Sequence, residues 1–123
     1  IGLSLYPHHL KDKSNCTLES FCEMTARTAE LIGAQHIGIG SDLCIGHPNS
    51  VVDWMRNGKW TKTKDYGEGS SSDSSFPKQP IWFEDARGFK NLEKGLKKVG
   101  FKESEVNGIL GNNWYNFYRG INS

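Results

Sequence analysis

The residues best equipped for chemistry gather at the ends of two short apolar runs. His36 to Gly46 reads HIGIGSDLCIG, which delivers a carboxylate, Asp42, just past a candidate strand and between glycines, with the Cys44 thiol close behind. IGLSLYPHHL brings Tyr6, His8 and His9 to the end of the other run. A carboxylate walled by low-dielectric protein can act as a general acid or base, or sit against a metal-bound water. The same residue type also serves loops and helix N-caps by bonding backbone amides, and spacing alone does not separate the two uses. Neighbouring residues on an extended segment point to opposite sides, so only one of His8 and His9 is expected to face such a mouth. His36 begins its strand and so looks to the far end from Asp42, while His47 stands in a loop. Cys44 has no visible base beside it. Cys16, Cys22 and Cys44 are odd in number, lack CxxC spacing and read as small buried or half-buried thiols. With no HxH, HxxxH or Cys/His cluster, a complete metal site cannot be assembled from these 123 residues.

The elements that must position these groups form a simple series. Ile1 to Tyr6 alternates apolar and polar residues and ends at Pro7, as a strand running into a loop does. TLESFCEMTARTAELIG then places Leu18, Phe21, Cys22, Thr25, Ala29 and Ile32 on one helical face, with Glu19, Glu23, Arg27 and Glu30 opposite. Thr17 suits the N-cap, Glu23 and Arg27 form an i,i+4 pair, and Gly33 fits the stop. His36 to Gly40 is the next strand. Strand, helix and strand at this spacing predict a parallel βαβ unit with a right-handed crossover. Tyr6 to His9 and Gly40 to Leu43 should then lie side by side at the carboxyl ends of the strands, where parallel α/β architectures bind their ligands.

From Cys44 to about Arg87 the periodicity breaks down. VVDWMRNGKW can hold a short helix, and SSSDSS taken alone is a flexible linker. The flanks, however, carry Trp54, Trp60, Tyr66, Phe76, Trp82 and Phe83, which a linker does not need, so 44–87 is expected to be an ordered lid over the active site. Helices are predicted at Asn91 to Val99, stopped by Gly100, at Ser104 to Leu110, stopped by Gly111, and at Asn113 to Tyr118. Leu92, Leu96 and Val99 face the core in the first, and Val106, Ile109 and Leu110 in the second. Trp114, Phe117 and Tyr118 make the third a packing helix.

Composition bounds what this assembly can be. Only 36% of residues are hydrophobic, below the roughly 45 to 50% usual for globular domains, so the core is light. A net charge of +1 with dispersed lysines excludes the electrostatic footprint of a nucleic-acid binder. No apolar run approaches the roughly eighteen residues that a membrane helix needs. The chain opens on Ile1 rather than Met, the first sign that it is cut from something longer.

IGLSLYPHHL, TLESFCEMTARTAELIG, HIGIGSD and GFKESEVNGILGNNWYNFYRG resemble, in order and spacing, the last third of the membrane dipeptidase family, the renal dipeptidase-like zinc peptidases of the amidohydrolase type. HIGIGSD and ILGNNW, the latter similar to the family's GGN signature, are the specific parts; only Cys44 to about Arg87 lies outside the match. The resemblance implies the C-terminal portion of a (β/α)₈ TIM barrel of the metal-dependent hydrolase type: the last two βα units, carrying the seventh and eighth strands, plus the terminal helices. It implies hydrolysis of dipeptides by a water bridging two zinc ions, whose ligands, a His-x-Asp pair, a Glu and two later His, would all precede Ile1. Asp42 matches the family's catalytic aspartate, which passes a proton from water to the leaving amine. Tyr6 matches an aromatic residue close to substrate, and His8 joins it as a candidate substrate contact. The implied partners are a dipeptide and the remainder of the barrel, with homo-oligomerisation left open, and the isolated chain is expected to be inactive.

Three departures stand out. GSDLCIG replaces the frequent GSDFDG, the following loop is longer and more aromatic, and Lys102 stands where a Ser or Thr cap is common, which should weaken that helix start by about 1 kcal/mol. The competing expectation is a small non-catalytic α/β module that grips a ligand with the aromatic loop 45–83 and uses Asp42 structurally.

Overall fold

The computed structural model describes residues 1–59, 62 and 75–121. They fall into two compact units, one of Ile1–Leu43 with Gln79–Ser123 and one of Cys44–Lys78.

The first unit is mixed α/β, mostly helical around a small parallel sheet. β1 (Gly2–Ser4) and β2 (Gly38–Gly40) pair in parallel, with Gly2 opposite Gly38, Leu3 opposite Ile39 and Ser4 opposite Gly40. Both strands are shorter than the sequence predicts; a 3₁₀ turn at Ala34–His36 takes His36 out of the second, and another at Pro7–His9 follows the first. The connection is α1 (Leu18–Ile32). Its limits follow from local chemistry: the Thr17 hydroxyl accepts from the Ser20 N–H at 3.1 Å, and the Gly33 N–H closes the last turn onto the Ala29 carbonyl at 2.8 Å. The predicted face is the buried one. Phe21, Cys22 and Thr25 are inaccessible, with Leu18, Ala29 and Ile32 packed at the margin. Thr25 enters this apolar setting by donating its hydroxyl to the Phe21 carbonyl at 2.9 Å, which satisfies it locally.

α3 (Phe89–Lys98) packs on α1 through Leu92 and Leu96, both fully buried. Gly95 marks the closest approach, because a Cβ there would lie 2.6 Å from Cys22 Sγ. α4 (Glu103–Asn107) begins at Lys102 without a side-chain cap, but Glu105 Oε2 accepts the Lys102 N–H at 2.8 Å. Half of a capping box thus replaces part of what the lysine cannot supply. The chain then widens into a π turn (Gly108–Asn112), with a non-helical Gly111, before α5 (Asn113–Ile121).

Two expectations are overturned. Trp82 and Phe83 do not belong to a lid. Phe83 is fully buried, Trp82 lies against Phe21 with ring centres 5.6 Å apart, and the indole Nε1–H donates to the Cys16 carbonyl at 2.7 Å. Their rings complete the core that a chain poor in aliphatic residues needs. Nor is α5 a helix packed along its whole stripe: Tyr115, Phe117, Tyr118 and Ile121 are exposed, while the Trp114 indole donates to the Ile39 carbonyl of the sheet. An apolar stripe says that a face seeks cover, not that these residues supply it.

In the second unit, α2 (Ser50–Asn57) realises the predicted short helix. Val52 and Arg56 are buried and Trp54 is exposed. Asn57 Nδ2 donates to Asp53 Oδ1 at 2.8 Å one turn away, and the Phe76 N–H reaches Asn49 Oδ1 at 3.4 Å. Trp60, Tyr66 and the SSSDSS tract up to Ser74 lie outside the described residues.

Candidate functional site

Burial alternates along the first strand and past its end. Leu3, Leu5 and Pro7 turn into the core while Ser4, Tyr6 and His8 are half-buried on the other face. The last strand pair is Ser4 with Gly40, so the segments that lead on to Tyr6 and to Asp42 leave the sheet at the same end.

Around Tyr6 the side chains converge. The His8 ring stands edge-on to the phenol at 5.5 Å between centres, and the His9 ring does the same at 5.2 Å. Both imidazoles reach Tyr6 because the chain is not extended here: Pro7–His9 is a 3₁₀ turn, and Pro at its first position is preset for such a turn. The period-2 alternation expected of an extended segment therefore does not hold at His8 and His9, and Pro7 was the signal that could have shown the turn. His9 is further held by Ser4, whose Oγ lies 2.9 Å from His9 Nδ1 and accepts the Tyr6 N–H at 3.1 Å.

Asp42 follows β2 in the left-handed region, with φ at 48°. Asp and Asn enter this region more readily than other non-glycine residues, though still at a cost. Its side chain is exposed and makes no hydrogen bond or ion pair with another described residue, so it is not spent on capping backbone amides. Cys44 is exposed, against the expectation of a buried or half-buried thiol, whereas Cys16 and Cys22 are buried. Burial raises the Cys16 pKa, helped by the charge of Asp12. Burial, with Cys16 adding to it, pushes Cys22 up to about 11. Among the described residues no group of three His, Cys, Asp or Glu side chains could hold a metal ion. Asp42, His8 and His9 do not make up a zinc site.

The strand that carries Asp42 is held from the far end of the chain. Asn113 Nδ2 donates to the carbonyls of Ala34 at 2.9 Å and Ile37 at 2.7 Å, and Trp114 Nε1–H donates to that of Ile39 at 3.1 Å. The indole lies over the paired glycines of the sheet, where a Cβ on Gly38 would come within 2.3 Å of Nε1 and one on Gly2 within 3.0 Å of Cζ2. ILGNNW thus acts as a clamp on β2, a role that its residue types alone did not disclose.

No protein-family model matches the chain. No curated protein matches it either. A solved structure does: the crystal structure of an amidohydrolase from Pseudomonas aeruginosa, similar over 92% of this chain with a TM-score of 0.73 and 25% sequence identity. The chain spans 33% of that protein's length. Over the matched residues the fold is therefore amidohydrolase-like, with a parallel βαβ unit whose strands lead to the Tyr6 cluster and to Asp42.

Proposed function

We propose that this chain forms the last two βα units and terminal helices of a (β/α)₈ zinc-dependent dipeptidase, with Asp42 as the group that takes a proton from the attacking water and delivers it to the leaving amine. The observation that carries this reading is the state of Asp42. It is a non-glycine residue in left-handed backbone two residues past the end of β2, and its carboxylate bonds no other described residue. Such a conformation costs on the order of 1 kcal/mol, and strain of this kind concentrates where a side chain must be aimed. Tyr6 and His8 contribute the substrate-facing wall in this reading, with the imidazole N–H and the phenol as hydrogen-bond donors to a peptide or carboxylate. The zinc ions would be bound by residues other than those of this chain.

Asp42→Asn tests the proposal in the protein that carries this chain. Asparagine tolerates the left-handed region, so the substitution removes the charge and the proton acceptor without moving the backbone. Dipeptide turnover should fall by about 10²- to 10⁴-fold, the usual worth of a general acid–base group, while zinc content stays near wild type. Unchanged turnover would remove Asp42 from the chemistry.

A further inference from the structure

The side chains of Asn113 and Trp114 donate to the carbonyls of Ala34, Ile37 and Ile39, on the backbone that leads to Asp42. We propose that these two residues are positioning residues for Asp42, acting through the outer edge of β2; the inference rests on the catalytic reading of Asp42 given above.

The geometry of a parallel ladder makes the argument. The N–H and C=O of one strand residue point to the same neighbour, and successive residues alternate between neighbours. The Gly38 N–H bonds the Ile1 carbonyl at 2.9 Å, so Gly38 and Gly40 address β1, and Ile37 and Ile39 turn their carbonyls to the opposite edge. Those two carbonyls are the ones that Asn113 and Trp114 take up. Each is a directional contact, so together they set the height and twist of β2 along its own axis as well as satisfying its polar groups. The indole adds a third restraint by lying close against Gly2 and Gly38, and it is itself stacked on Tyr118 with the rings 23° apart. β2 ends at Gly40, and Gly40 and Ser41 alone separate the clamped Ile39 from Asp42, neither with a side chain large enough to fix the connection by its own packing. A small error at the clamp therefore passes to Asp42 over a short connection that has little packing to correct it. Misplacement of a reacting group by about 1 Å can cost about a hundredfold in rate.

The test uses Trp114→Phe, which keeps an aromatic ring over the glycines but deletes the N–H, and Asn113→Ala, which deletes both donated bonds. Each is measured alone and combined with Asp42→Asn in the protein that carries this chain. Each single substitution should lower kcat for a dipeptide by about tenfold to a hundredfold with KM changed less than about twofold. In the Asp42→Asn background neither should lower turnover further, because the group being aimed is already gone. Full additivity in the double variants would overturn the inference, as would unchanged kcat in both single variants while Asp42→Asn is inactive. Loss of the folded state in both, read by far-ultraviolet circular dichroism, would also overturn it, since the clamp would then determine the fold and not the aim of one residue. Failure of the catalytic reading looks different: Asp42→Asn itself would turn over normally.

Discussion

Gly38 and Gly40 stand two residues apart on the same strand and face of the sheet, yet the structure separates them sharply. A Cβ at Gly38 would fall 2.3 Å from Trp114 Nε1 and 2.7 Å from its Cδ1 and Cε2, distances that no side chain accommodates without the indole moving. At Gly40 the nearest atoms to a Cβ are backbone atoms of Gly2 at 3.7 Å, an ordinary contact. Gly38→Ala should therefore cost about 1 to 3 kcal/mol for overpacking and about 1 kcal/mol for the Trp114 to Ile39 hydrogen bond, offset by about 0.5 kcal/mol from the stiffer unfolded chain. The net is a destabilisation of roughly 1.5 to 3.5 kcal/mol by the same principles. Gly40→Ala keeps only the last contribution and should be neutral or up to about 1 kcal/mol stabilising. Urea unfolding followed by tryptophan fluorescence and by far-ultraviolet circular dichroism measures both, with the indole emission of Gly38→Ala expected to shift to the red. Equal midpoints for the two variants, at unchanged m, would refute the packing of Trp114 on β2 and with it the clamp.

Other outcomes follow from local chemistry. At about pH 8 a disulfide-exchange reagent should titrate Cys44 alone in the native protein and all three thiols after unfolding, because Cys16 and Cys22 are buried and their pKa values are raised. The raised value of Cys22 also sets a direction for stability: the unfolded thiol ionises from about 9.0 while the folded one holds its proton to about 11, so stability is fully present below 9 and declines as pH rises through that window. A Cys22→Ser comparison that leaves the alkaline decline unaltered would dismiss that assignment. Thr17→Ala should lower stability by about 1 kcal/mol through loss of the α1 cap, whereas Lys102→Ser should raise it by up to about 1 kcal/mol by completing the box that Glu105 already half forms. Opposite signs in thermal melts are the expected result.

α1 was legible almost to the residue because its determinants are local: an apolar face of period 3.6, a capping hydroxyl three residues before the N–H that it accepts, and a glycine stop. The parallel pairing of β1 and β2 was legible too, since a helix of that length between two short runs leaves little other choice. Asp42, Tyr6 and His8 could be singled out by their place at strand ends. What escaped depended on contacts far apart in the chain. Trp82 reads as a loop aromatic until its indole is found bonded to Cys16, 66 residues away. Nothing in the spacing of ILGNNW connects Trp114 to Ile39 across 75 residues.

By itself, then, the order of residues determined the elements, their direction and the chemical character of the groups at the strand ends, because periodicity, capping and turn preference act within a few residues. Only the tertiary structure decided that a 3₁₀ turn gathers both histidines around Tyr6, that Asp42 sits in left-handed backbone with its carboxylate uncommitted, and that Asn113 and Trp114 grip the outer edge of its strand. Those features arise from close packing and hydrogen bonding between segments that meet only when the chain has folded.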